Sequence, residues 1–174
     1  MCEVMWRNPL HSSLPWSVVI QASAPGDAEF VNYLDNDPET RKFLGGPLGR
    51  TVEETRSGLL GAPQTLYIIR DTQGPIGYTA YVENKFTSEM DVLIILSAER
   101  RTKGVGSLVL RTMVGKWKSF FPKKPLSITT RWDNTDAQRL LERNGFNQVG
   151  EYHDPRHGQN FYIYKEAYAG GAAT

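Results

Sequence analysis

Residues 96–109 read Leu-Ser-Ala-Glu-Arg-Arg-Thr-Lys-Gly-Val-Gly-Ser-Leu-Val, with an apolar strand pattern entering and an amphipathic helix pattern leaving. The first turn of a helix has N–H groups without intrahelical acceptors, at the positive end of the macrodipole. Gly104 and Gly106 carry no Cβ, so an anion can approach that backbone closely. Arg100, Arg101 and Lys103 add mobile positive charge. The chemistry this favours is holding a phosphate or pyrophosphate. It is not a dinucleotide fingerprint, because Val109 stands where the third glycine of G-x-G-x-x-G belongs. Nor is it a Walker loop, since Gly106-Ser107-Leu108 supplies no Gly-Lys-Ser/Thr ending. Glycines entering a helix are turn residues more often than ligand contacts, so the pair needs support from elsewhere.

Other chemistry-bearing residues are scattered. Glu89 and Asp91 stand two apart at a strand start and so point to one face, where either could act as a general base. Ser97 and Tyr152 carry hydroxyls near strand ends, for which structural roles come first. The stretch His153-Asp154-Pro155-Arg156-His157 reads as a polar loop, with substrate contact as the second reading. A metal would need convergent ligands in a defined geometry, and none is expected here. Tyr78, Tyr81 and Trp132 are read first as packing and second as walls of a pocket. Cys2 is the only cysteine, which excludes an intrachain disulfide.

The elements that must position these groups alternate. A β-branched strand covers residues 16–22. Asp27 caps a helix with Phe30, Val31 and Leu34 inward, and a further turn at residues 39–44 ends at Gly45-Gly46. Thr51 and Glu54 form a capping box for a helix with Val52, Leu59 and Leu60 inward. Residues 65–70 and 77–82 make a hairpin around a loop at 71–75. Residues 89–96 form a strand whose stretch 92–96 is wholly apolar, as in a strand covered on both faces. The following helix buries Leu108, Val109, Met113, Trp117 and Phe120 and stops at Pro122 and Pro125. A strand at 126–132, a short helix at 136–144 and strands at 147–153 and 161–165 complete the chain.

This order predicts an α/β (α+β) fold: one mixed, mostly antiparallel seven-stranded sheet flanked by about four helices. One domain over residues 1–168 is expected, with a Gly/Ala-rich tail at 169–174 that frays. Twenty basic against nineteen acidic residues give a net charge of +1, without the basic excess of a nucleic-acid-binding face. No apolar run approaches the ~20 residues of a membrane span. Residues 1–10 lack a secretory core, so a cytoplasmic location is expected.

Two ordered motifs carry a resemblance. Arg101-Thr102-Lys103-Gly104-Val105-Gly106 is similar to the R/Q-x-x-G-x-G/A signature of the GNAT N-acetyltransferases. Residues 134–146, from Asn134 through Leu140-Leu141-Glu142 to Gly145-Phe146, resemble the same family's N-x-x-A-x-x-L-Y-E-x-x-G-F segment. Residues 27–46 resemble the branch acting on ribosomal-protein and related N-termini.

The resemblance implies an N-acetyltransferase that passes acetyl from acetyl-CoA, or another acyl-CoA, directly to a primary amine. The acceptor would be a protein N-terminus, a lysine or a small molecule. Residues 101–107 (Arg101, Thr102, Lys103, Gly104, Val105, Gly106 and Ser107) would cradle the CoA pyrophosphate. Ile94, Ile95 and Leu96 would pair with the pantetheine arm; Asn134 would lie near it, and Arg139 could reach a CoA phosphate. Tyr81, Trp132 and His153 would face the acceptor, and Glu89 or Asp91 would be the base. The tyrosine that commonly protonates the leaving thiolate in this family is here Leu141. A homodimer is expected by family analogy. The alternatives are a non-catalytic acyl-CoA-binding module and a toxin acetylating aminoacyl-tRNA, the latter disfavoured by the balanced charge.

Overall fold

The computed structural model describes residues 18–43, 49–61, 66–101, 104–155 and 158–167. Expectations for Cys2, Trp16, Gly45, Gly46, Thr65, Thr102, Lys103, Arg156, His157 and the 169–174 tail lie outside these residues.

The strands are β1 (Val19–Ala22), β2 (Leu66–Asp71), β3 (Gly74–Glu83), β4 (Met90–Leu96), β5 (Leu126–Arg131), β6 (Phe146–Asp154) and β7 (Gln159–Glu166). The helices are α1 (Ala28–Asn36), α2 (Pro38–Arg41), α3 (Val52–Gly61), α4 (Val105–Phe120) and α5 (Thr135–Arg143). The strands form one mixed seven-stranded sheet in the order β1-β2-β3-β4-β5-β7-β6. Five α-helices are present among the described residues, against about four expected. The extra one is the single turn of α2, which is separate because Pro38 starts it and Asp37 caps it through the Thr40 N–H at 2.9 Å.

Packing resolves two compact units. The first takes the described residues up to Tyr81 together with Leu93–Val109. Its core joins Val31 and Leu34 of α1, Ile68 of β2, Tyr78 of β3 and Ile95 of β4. The β2–β3 turn is tighter than the sequence predicts, only Thr72 and Gln73, because β3 already starts at Gly74. A register shift between Ile69 and Arg70 admits Pro75, which has no N–H to offer the ladder. Gly77 is required by close approach: a Cβ there would overlap the Ile95 carbonyl oxygen and lie 2.8 Å from Leu96 Cδ2. The capping box of α3 is present, with the Thr51 N–H on Glu54 at 2.7 Å and the Glu54 N–H on Thr51 at 3.2 Å. Leu60, expected inward, is 62% exposed. The buried residue of α3 is Thr55, whose hydroxyl donates to the Thr51 carbonyl and accepts from Asn32 of α1. A polar contact replaces the apolar one that the pattern suggested.

The second unit takes Val82–Val92 with the described residues from Leu110 onward. In it β7 lies between β5 and β6 and runs antiparallel to both. Leu110, Met113, Val114 and Trp117 are the buried residues of this part of α4. Phe120, expected inward, is 67% exposed. It stands on the last turn, where Phe121 instead packs on Trp117 with ring centroids 4.5 Å apart. The Trp117 indole N–H donates to the Lys124 carbonyl at 3.0 Å and fastens the helix end. Among the described residues no helix is long and apolar enough to cross a membrane.

Candidate active site

The loop after β4 belongs to the first unit. Ser97 leaves the strand with its N–H on the Ile76 carbonyl at 3.0 Å, and a 3-10 turn spans Ala98–Arg100. Gly104 has φ +80°, a left-handed conformation that L side chains rarely adopt, and nothing lies within 4 Å of a Cβ built there. Its glycine is therefore required by backbone shape rather than by crowding. The α4 ladder opens with the Leu108 N–H on the Gly104 carbonyl at 3.1 Å, so the N–H groups of Val105 and Gly106 precede it. The positive end of a sixteen-residue helix, beside a glycine without a Cβ, fits a pyrophosphate.

The arginines behave differently from expectation. Arg100 donates to Gln73 at 2.6 Å and pairs with Asp71 at 3.3 Å. Arg101 donates to the Leu96 carbonyl at 3.1 Å, the Glu39 carbonyl at 3.3 Å and the Thr40 hydroxyl at 2.8 Å. Both guanidiniums are engaged on the protein, so neither is the mobile charge that the sequence suggested. Ile95 and Leu96 are buried and Ile94 is half-buried. The parallel ladder between β4 and β5 consists of Met90↔Leu126 and Asp91↔Ser127, and Ile94, Ile95 and Leu96 lie outside it.

The second unit gathers polar side chains on its strands. Asp91 is 4% exposed. Its Oδ1 accepts from the Ser127 hydroxyl, and its Oδ2 accepts from Thr129 Oγ1 at 2.6 Å and Asn84 Nδ2 at 3.0 Å. Glu89 is in a different position: Oε1 accepts from Lys165 Nζ at 2.6 Å, while Oε2 is shielded and has no hydrogen-bond partner among the described residues. Tyr152 is stacked between Phe86 and Phe161, at centroid distances of 4.3 and 5.2 Å. Burial raises the Tyr152 phenol above its ordinary pKa, against hydrogen bonding with Thr129 and Asn84. This unit thus holds one carboxylate with a shielded oxygen that no described donor meets, and one phenol that burial keeps protonated.

Asn84, Ser127, Thr129 and Lys165 were not singled out by the sequence. Short polar residues and a strand lysine are ordinary, and only the neighbouring strands reveal that three of these side chains meet Asp91 and the fourth meets Glu89.

The remaining expected residues are spread. Asn134 caps α5 by accepting from the Ala137 N–H at 3.2 Å, and Arg139 is exposed, 3.9 Å from Asp136. Trp132 is 53% exposed, and its backbone N–H donates to the Asn160 carbonyl at 3.1 Å. His153 Nδ1 lies 2.7 Å from the side-chain oxygen of the same Asn160, so Trp132 and His153 flank β7 from opposite sides, with that strand between them. Tyr81 lies in the first unit, edge-on to Tyr67 at 6.4 Å. Leu141, at the family's tyrosine position, is 3% exposed in the core. Among the described residues no group of three or more His, Cys, Asp or Glu could hold a metal ion.

Comparison with known proteins agrees with this architecture. Residues 18–147 match the family described as an acetyltransferase (GNAT) domain, and the chain belongs to that acetyltransferase family. No curated protein matches it in sequence. A GNAT-family acetyltransferase from Bacillus anthracis superposes with TM-score 0.72 at 16% identity, covering 84% of this chain and 92% of that one. Spermidine N-acetyltransferase from Vibrio cholerae, solved with CoA and spermine, gives TM-score 0.69 at 16% identity, covering 84% and 94%. A protein described as a phosphinothricin N-acetyltransferase gives 0.68 at 18% identity, covering 86% and 98%. At these identities the likeness is one of fold.

Proposed function

We propose that this acetyltransferase takes acetyl from acetyl-CoA, held through residues 104–107, and gives it to a primary amine whose proton passes to Glu89. The observation that supports the donor site most directly is Gly104, left-handed just before α4 and with no atom within 4 Å of where a Cβ would stand. Val105 and Gly106 present N–H groups there ahead of the helical ladder and would hold the pyrophosphate. Of the two carboxylates, Glu89 has the oxygen without a partner, whereas both Asp91 oxygens already accept hydrogen bonds. As the amine nitrogen bonds to the thioester carbonyl carbon, its proton moves to Glu89 and the C–S bond breaks. General base action of this kind is worth about 100- to 10,000-fold in rate. Leu141 has no proton for the departing thiolate; Tyr152 is a phenol of the second unit that burial keeps protonated.

The acceptor class is open to a direct test. The fold likeness to a spermidine acetyltransferase and to a phosphinothricin acetyltransferase puts small amines on the panel. The resemblance of residues 27–46 to the N-terminal branch adds a peptide with a free α-amine. Calorimetric titration with acetyl-CoA, of the parent beside Gly104→Glu, should give binding only to the parent. Free thiol released on adding an amine then identifies the acceptor. A second reading, a CoA-binding module without turnover, is favoured by Leu141 at the usual acid position. Binding with no thiol release across the panel would establish it, and no binding by the parent would sink both.

A further inference from the structure

The arginine that opens the R-x-x-G-x-G motif has its guanidinium turned onto the protein. Nε of Arg101 donates to the Leu96 carbonyl at the end of β4. Nη1 and Nη2 reach the other way, to the Glu39 carbonyl and the Thr40 hydroxyl on α2, more than sixty positions earlier in the chain. Asp37 Oδ2 stands 3.9 Å from Nη2. All three guanidinium nitrogens therefore have protein acceptors, and the planar fork bridges two elements that no backbone hydrogen bond joins among the described residues.

The α2 end of this bridge is prepared for it. Thr40 is 3% exposed, and its hydroxyl donates to Asp37 Oδ2 at 2.8 Å while accepting from Arg101. Donating to a carboxylate leaves the hydroxyl oxygen a better acceptor for a cation. The Thr40 hydroxyl is also the largest reason the Asp37 carboxyl is held below its ordinary pKa, so the carboxylate remains charged at neutral pH.

We infer that Arg101 is a positioning residue: it straps the start of the cofactor loop to α2 and sets where the loop's backbone N–H groups stand, without itself meeting the phosphates. This deepens the acetyl-CoA site proposed above and rests on it. A lone Lys or Arg on a phosphate works as a charge, but a strap works by its fork and by the identity of its acceptors. The two roles separate experimentally at Thr40, which a phosphate contact would ignore.

Steady-state kinetics with acetyl-CoA on Thr40→Val, Thr40→Ser and Arg101→Lys make the test, with the amine that thiol release identifies held at saturation; where no amine turns over, the calorimetric Kd for acetyl-CoA is read in place of KM. Thr40→Val should raise the KM for acetyl-CoA about tenfold with kcat little changed, the size of one charge-assisted hydrogen bond. Thr40→Ser, which keeps the hydroxyl, should return it to the parent value. Arg101→Lys should resemble Thr40→Val although its charge is retained. A parental KM in both Thr40→Val and Arg101→Lys would overturn the strap, as would an effect of Thr40→Val that Thr40→Ser fails to rescue. If the parent binds no acetyl-CoA, the donor reading fails instead. The strap then stands or falls on hydrogen exchange: faster exchange of the α2 amides in Arg101→Lys supports it, and unchanged exchange overturns it.

Discussion

The loop after β4 and the residues around Glu89 use backbone and side chains in opposite ways. In the loop the backbone offers its N–H groups, and the arginines are fastened to Asp71, Gln73, Glu39 and Thr40. In the second group the backbone is largely committed to ladders, and the polar atoms come from Glu89, Asp91, Ser127, Thr129 and Lys165. A backbone site depends on conformation, so its weak points are glycines. A side-chain site depends on which strands are neighbours, so its weak points are hydrogen bonds between residues far apart in sequence.

The harshest way to break the backbone side is Gly77→Ala. A Cβ would drive into the Ile95 carbonyl and Leu96, both on the strand that feeds the loop. Because backbone must move, a loss on the order of 3 kcal/mol is expected. The urea midpoint would report it; an unchanged midpoint would show that β3 can shift freely. On the other side, Glu89→Gln should lower kcat about 100-fold and leave the KM for acetyl-CoA alone. A parental kcat would move the base elsewhere.

Asp91→Asn sharpens the contrast between the two carboxylates. It turns an acceptor of three side-chain donors into a group with donors of its own, costing about 2 kcal/mol of stability. Thermal melts should show that loss, and kcat measured well below the melt should fall far less than in Glu89→Gln. Comparable kcat losses would mean that both act on the proton. The smallest effect concerns acid. The Asp37 carboxyl is depressed by its Thr40 hydrogen bonds, so its contribution to stability is present above the unfolded pKa and lost as pH falls through the folded one. Asp37→Asn should therefore show a shallower fall in Tm than the parent between pH 6 and pH 3. Identical falls would remove Asp37 from the acid response.

The same contrast explains what could be read in advance. Gly104 and Gly106 announce the loop because a backbone requirement is written in one residue type. The helix after them is legible from its period, although Phe120 on its last turn is exposed against expectation. The capping box of Thr51 and Glu54 is local and was legible; Thr55 as the buried contact of α3 was not, because its partner Asn32 lies on another helix. Likewise nothing around Thr40 foretells an arginine from position 101, and nothing around Ser127 foretells Asp91. The Ser127–Asp91 contact is a product of the sheet order, which pairs β5 with β4 although α4 separates them in the chain.

That placement of β7 bears on how the chain is made. The first unit contains nothing beyond Val109, so it can assemble while the rest is still being synthesised. The second cannot, because the strand seated between β5 and β6 is the last one translated among the described residues. Lys165, which meets Glu89 from 76 positions away, arrives with it. Until β7 is made, β5 and β6 have no strand between them, and the edges it covers stay open to other pairings.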